Sequence, residues 1–289
     1  MKKLDLKALF NKWPYLLTGF ILLIMLLLGQ RYVNNFYKTN TRLYTSQMEP
    51  TIFVPGSSAT QERFNGTFQK LASMGYSHSV LKITVSKKGT LSYSGAISSR
   101  EHNPYIVITF EDNSDSYANI KRQAGWLNTA LSEIQTKYRF RRFNAVGHSN
   151  GGLVWSFFLE DYWPDTNFQI NTLMTIGSPY NLTVTDMSNH TQMLTDLIDD
   201  KSNIPKDLTV YNISGSNSYN SDYLVAITSV EAGKYIYQNQ VKQYTFFTVT
   251  GSTSEHSDLP TNTQVLQYIA QYVLQTGKGQ KPTPNNTSK

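Results

Sequence analysis

Hydrophobic and polar positions between residues 50 and 275 alternate between two kinds of segment. Thr51 to Val54 is a short β-rich run closed by the turn Pro55-Gly56-Ser57-Ser58, and Phe64 to Met74 has helical character. Val80 to Ser86 alternates apolar with polar, Lys88-Gly89 makes a turn, and Leu91 to Ile97 returns, which predicts a β-hairpin. Tyr105 to Phe110 is nearly all apolar, as a strand buried on both faces should be. Ser116 to Tyr138 carries Ile120, Ala124, Leu127, Leu131 and Ile134 at helical spacing. The second half of Phe140 to Val146 suits a strand, and Leu153 to Leu159 a buried helix. Further strands are predicted at Asn171 to Gly177, Leu208 to Ser214 and Gln243 to Val249. Helices are predicted at Gln192 to Ile198 and Gln264 to Leu274, with a loop and short helix at Asp222 to Ala232. Such alternation predicts an α/β fold with one mainly parallel sheet covered on both faces. Its ligand site should lie at the carboxyl ends of the strands, with the polar stretch 180–207 forming part of the pocket roof.

The two ends of the chain read differently. Tyr15 to Leu28 is uncharged and follows several lysines. Fourteen residues are short for a membrane span and equally fit a signal-peptide core. The chain continues Gly29-Gln30-Arg31-Tyr32-Val33 without an A-x-A-like cleavage site, and Trp13 and Tyr32 are placed to sit at the two interfaces. The reading is an uncleaved, single-pass signal anchor meeting the membrane through residues 13–32, N-terminus inside and body outside. The alternative is secretion after cleavage. The organisation is then a cytoplasmic tip and anchor (1–31), a polar stalk (32–48), one α/β domain (49–275) and a tail (276–289) whose Gly, Pro, Asn and Lys content reads as disordered.

Composition narrows the function classes. Hydrophobic residues at 39% and aromatics at 13% can build a sizeable core, and the absence of cysteine excludes a disulfide framework and a thiolate metal site. The formal charge of +6 is concentrated at the ends, leaving residues 32–275 nearly neutral. A nucleic-acid partner needs clustered Lys/Arg on the folded domain, so none is expected. Arg139, Arg141 and Arg142 form a local basic cluster that reads as a solvated edge. No ligand cluster or phosphate loop is present, so no metal or organic cofactor is expected, and the sequence carries no signal of oligomeric state.

Gly147-His148-Ser149-Asn150-Gly151 matches the G-x-S-x-G nucleophile elbow, a sharp strand-to-helix turn that lifts a serine hydroxyl above a sheet. A serine needs a base and a group that orients the base, in the chain order Ser, acid, His for this architecture. Two histidines follow Ser149. His190 lies before the later strands, whereas His256 lies in the Gly251-Ser252-Thr253-Ser254-Glu255 loop after the last strand, where the base belongs. Asp222 follows the strand at 208–214 and is the candidate acid, although its position also suits a helix N-cap. Two backbone N–H donors must meet the developing oxyanion. Asn150, after the nucleophile, and Ser57, in the turn after the first core strand, are the candidates.

These stretches resemble the α/β-hydrolase superfamily, and within it a group of Gram-positive cell-surface α/β-hydrolases that forms a domain of unknown function. The resemblance is carried by Ile52 to Gly56, the 80–97 hairpin, Phe110 to Asn113, Trp126-Leu127, Val146 to Gly152, Ile176 to Tyr180, Ser221-Asp222 and His256 to Leu259. It implies a Ser149–Asp222–His256 triad and an anchored exterior location. Two positions depart from it. Pro55 stands where many relatives carry histidine, and proline removes a donor and stiffens the oxyanion turn. Tyr223 stands where relatives often carry glycine and has the bulk to crowd the acid loop. The expected activity is hydrolysis of acyl esters through an acyl-enzyme, on a small acyl substrate or a cell-envelope component. The alternatives are an acyltransferase or peptidase of envelope material and a non-catalytic surface binding module.

Overall fold

The computed structural model describes residues 18–31 and 47–274. Eight strands form one sheet: β1 (Thr51–Val54), β2 (Val80–Val85), β3 (Leu91–Gly95), β4 (Tyr105–Phe110), β5 (Arg142–His148), β6 (Gln169–Ile176), β7 (Thr209–Ser216) and β8 (Gln243–Thr250). Their order is β3-β2-β4-β1-β5-β6-β7-β8. Only the β2–β3 hairpin is antiparallel, and every other pairing is parallel. Within residues 47–274 the α-helices are α1 (Asn65–Ser73), α2 (Tyr117–Tyr138), α3 (Asn150–Asp161), α4 (Gln192–Asp199), α5 (Ile227–Glu231), α6 (Lys234–Tyr237) and α7 (Thr263–Tyr268).

Residue alternation along the strands divides the core into two layers. Ile52 and Val54 of β1 pack on one face with side chains of α2, α3, α4 and α6. Phe53 faces the other way, onto Phe64 and Phe68 near α1 and Val265 of α7. β4 is buried at all six positions because both layers cover it. Ser116 caps α2 by accepting from the Asn119 amide, and Thr191 caps α4 by accepting from Leu194.

Several boundaries differ from the sequence reading for local reasons. β5 starts at Arg142, slightly ahead of the second half of Phe140 to Val146, and runs on through His148, since pairing with β6 continues to Ile176. α3 begins at Asn150, directly after Ser149 and inside the elbow. α6 was not expected, because four residues are too few to display a helical period. The last helix is regular only to Tyr268. Ile269–Leu274 continues as wider π-type turns that still bury Ile269, Ala270 and Val273. Of the stretch 180–207, Leu182 and Thr183 line a cavity at the site, while α4 packs Met193, Leu194 and Leu197 into the core.

Residues 18–31 are helical, with Phe20 to Leu28 exposed. No helix among the described residues is long and apolar enough to cross a membrane. The other positions of the expected anchor, most of the stalk and the tail lie outside the described residues.

Candidate active site

At the carboxyl end of β5 the chain turns sharply from strand into helix, with Ser149 alone between them. Ser149 holds φ 55° and ψ −129°, a conformation that costs an L-residue about 1–3 kcal/mol. Its amide donates to the Ile176 carbonyl at 2.8 Å, and its carbonyl accepts from Gly152 at 3.0 Å. The glycines make that turn possible by close approach. A Cβ on Gly151 would lie 2.0 Å from the Val54 oxygen, and one on Gly147 would lie 2.6 Å from the Gly152 backbone.

Ser149 Oγ lies 2.9 Å from His256 Nε2, and His256 Nδ1 lies 2.7 Å from Asp222 Oδ2. All three residues are buried. Asp222 is held from its other oxygen, for Oδ1 accepts from the amides of Leu224 at 3.0 Å and Val225 at 2.6 Å. The His256 amide in turn donates to the Asp222 carbonyl at 3.0 Å, locking acid loop to base loop. Asp222 caps no helix, since the N-cap of α5 is Ala226. His190 is exposed and not part of this group, its Nε2 meeting the Met187 carbonyl instead.

Two cavities meet at Ser149. One, of about 530 Å³, is lined by His256, His148, Arg63, Ser58 and Thr60 among others. The other, of about 390 Å³, is lined by Asn150, Asp115 and the largely apolar group Tyr117, Ile120, Leu182 and Val225. Ser57, Ser149 and Leu224 belong to both. Ser57 and Asn150 thus flank the serine, and the Asn150 side chain is fixed by donating to Asp115 Oδ1 at 2.5 Å. Pro55 ends β1 in the core, and the following Gly56 presses so closely on the elbow that a Cβ there would lie 2.6 Å from Ser149 Cβ. Tyr223 does not crowd the acid loop. Its φ is +72° and its side chain is 65% exposed.

Sequence reasoning missed His148, Arg63 and Asp115. His148 was legible only as a filler of the elbow motif, yet its Nε2 lies 2.9 Å from the His256 carbonyl and its ring 4.9 Å from the His256 ring. Burial, then the nearby His256 and Arg63 charges, holds its basicity well below the ordinary histidine range. Among the described residues no group of His, Asp and Glu is arranged to hold a metal.

The family described as an alpha/beta hydrolase of unknown function (DUF915) matches residues 38–276. The chain belongs to this family. A crystal structure of a candidate cell surface hydrolase from Lactobacillus plantarum WCFS1 shares 47% identity, with a TM-score of 0.73 over 79% of this chain and 92% of that one. The lin2722 gene product of Listeria innocua shares the fold at 24% identity, TM-score 0.71, over 81% of this chain and 96% of that one. No curated protein matches the chain. As a member of an α/β-hydrolase family, the protein has the eight-stranded, mostly parallel sheet expected from its sequence.

Proposed function

We propose that this α/β-hydrolase is a serine hydrolase that cleaves acyl esters at the cell exterior. The observation that carries the reading is the unbroken hydrogen-bonded chain from Ser149 Oγ through His256 to Asp222. His256 takes the serine proton as Oγ attacks the acyl carbonyl. Asp222 holds the ring with Nδ1 protonated and stabilises the imidazolium that forms. The backbone N–H groups of Ser57 and Asn150 receive the oxyanion. His256 then delivers its proton to the leaving alcohol, and water resolves the acyl-enzyme by the same path in reverse.

The apolar cavity on the Asn150 side receives the acyl chain. Tyr117, Ile120, Leu182 and Val225 give it an apolar wall, and about 390 Å³ admits a short or medium chain rather than a long lipid tail. The exterior location is supported by the description of the Lactobacillus plantarum relative as a candidate cell surface hydrolase. Anchoring through residues 13–32 is supported by the apolar helix at 18–31 and the lysines that precede it.

A fluorophosphonate probe tests the reading. Wild-type protein is expected to label at Ser149 and to lose labelling on Ser149→Ala. Equal labelling of both proteins, or none of wild type, overturns it. Release of free acid from a set of esters of graded chain length then separates hydrolysis from transfer to added alcohols or amines.

A further inference from the structure

We infer that the polar cavity on the His256 side takes a leaving group bearing an anion, a carboxylate or a phosphate, and that Arg63 binds it. This rests on the serine-hydrolase reading and adds the chemistry of the departing alcohol.

The side is fixed by the proton path. Ser149 Oγ forms a bond to the acyl carbon, the bond from that carbon to the leaving oxygen breaks, and that oxygen takes the proton carried by His256 Nε2. The leaving group must therefore lie against His256. His256 lines the larger cavity and is not part of the wall of the apolar one.

The walls of that larger cavity carry two charged side chains, and they are not equivalent. Glu62 is 51% exposed and is already answered from outside the cavity, by Lys82 Nζ at 2.5 Å and by Asn65. Arg63 is more enclosed, and burial lowers its guanidinium from the ordinary arginine range. One of its terminal nitrogens donates to the Ser257 carbonyl. That bond uses one of five N–H donors in a planar fork, leaving donors for a bidentate anion. Asp258 is near enough to favour the charged form, but it is not part of the cavity wall. The positive charge also reaches the ring of His148, another wall residue, whose protonation it opposes. Hydroxyl-bearing Ser57, Ser58 and Thr60 complete a polar lining suited to a hydrated or phosphorylated alcohol.

The test uses full-chain protein in detergent and follows the rate of fluorophosphonate labelling at Ser149 with added glycerol, glycerate or glycerol 3-phosphate. An anion seated on Arg63 blocks the cavity beside His256. At least one of the two anionic alcohols is expected to slow labelling with a half-effect concentration ten-fold or more below that of glycerol. Arg63→Ala should abolish that difference, and Arg63→Lys should restore part of it. Whichever anion protects better identifies the carboxylate or the phosphate source. Butyryl esters of the same three alcohols give a second reading, in which Arg63→Ala should lower kcat/KM for the anionic ester at least ten-fold more than for the neutral one, mainly through KM. Labelling without preferential protection by either anion overturns this inference alone. So does an equal loss on all three esters in Arg63→Ala, which would mark Arg63 as only a tether for Ser257. Failure of wild type to label overturns the serine-hydrolase reading and this inference together.

Discussion

His148 Nε2 lies 2.9 Å from the backbone oxygen of His256, so the residue before the elbow serine holds the loop that carries the base. A carbonyl oxygen can only accept, which puts the ring proton on Nε2 and leaves Nδ1 as a bare, buried acceptor with no partner among the described residues. A second proton would have to sit on that enclosed nitrogen, out of water and near the Arg63 charge.

His148→Leu should therefore slow fluorophosphonate labelling of Ser149 about ten-fold or more, while His148→Gln, whose amide N–H reaches the same carbonyl, should retain most of the rate. The ring also makes stability sensitive to acid. Its folded pKa lies below the unfolded value of 6.5, so the unfolded chain binds a proton that the folded one refuses. The stabilisation is fully present above pH 6.5 and falls by up to about 1.4 kcal/mol per pH unit below it. Urea midpoints measured between pH 5 and 8 should show a shallower acid loss in His148→Gln; superimposable slopes would count against a neutral His148.

Glu160 makes the opposite prediction. It is 2% exposed near the end of α3, and its Oε1 has no partner among the described residues. Burial, helped by Asp161 and Asp200 and opposed by Lys121, pushes its pKa up to about 10. From the ordinary value of 4.5 upward, the unfolded chain releases a proton that the folded chain keeps, so stability declines as pH rises towards 10. Glu160→Gln removes the titration. The stability gap in favour of the variant should widen by about 2–3 kcal/mol between pH 5 and pH 7, read as urea midpoints. A gap that stays constant across that range would show an ionised, solvated Glu160.

The strands were legible because their residues alternate or run apolar for four to eight positions, and the elbow was legible because glycines bracket a serine between strand and helix. Placing Asp222 and His256 beside it needed only chain order, since both follow parallel strands whose carboxyl ends share one rim. The contact from His148 to the His256 carbonyl was not legible, because it joins the end of β5 to a loop 108 residues away through a backbone atom that carries no sequence identity. Arg63 was hidden for a related reason: it reaches the site from the segment before α1 only because that segment packs on the loop after β8. Tyr223 misled in the other direction. Its bulk suggested crowding, but the turn carries the side chain outward into solvent.

That turn yields a stability prediction. Tyr223 pays the cost of a left-handed φ of +72° without burying its ring. Tyr223→Gly is expected to stabilise the protein by up to about 1 kcal/mol, since glycine adopts that conformation freely but loses more chain entropy on folding. A fall in thermal midpoint would mean the exposed ring makes contacts that offset the strain.

Gly56 sets a tight steric limit on the site from the oxyanion turn. Its missing Cβ would lie 2.6 Å from Ser149 Cβ, 3.1 Å from Oγ and 3.2 Å from the His148 carbonyl oxygen. The nearest of these, Ser149 Cβ, is fixed by the elbow backbone and cannot swing aside, so the elbow itself must move. Gly56→Ala should lower the labelling rate at Ser149 by about a hundred-fold or more, because a displacement near 1 Å is enough to cost that much. Circular dichroism distinguishes a displaced serine in a folded sheet from a chain that does not fold.

Asp222 offers a way to separate holding the ring from charging it. Oδ1 is committed to the amides of Leu224 and Val225, so an asparagine at this position would keep its oxygen there. Its NH2 would then face His256 Nδ1, where Oδ2 now accepts. Two donors cannot share that contact unless the ring proton moves to Nε2, and a ring protonated there cannot accept the Ser149 proton. Asp222→Asn is accordingly expected to fold with little change in stability and to lose about a thousand-fold or more in labelling rate at neutral pH. Asp222→Ala also strips the acceptor from two backbone amides, and should in addition cost about 1–3 kcal/mol of stability. Comparable labelling by wild type and Asp222→Asn would show that the carboxylate anchors its loop and takes no part in activating Ser149.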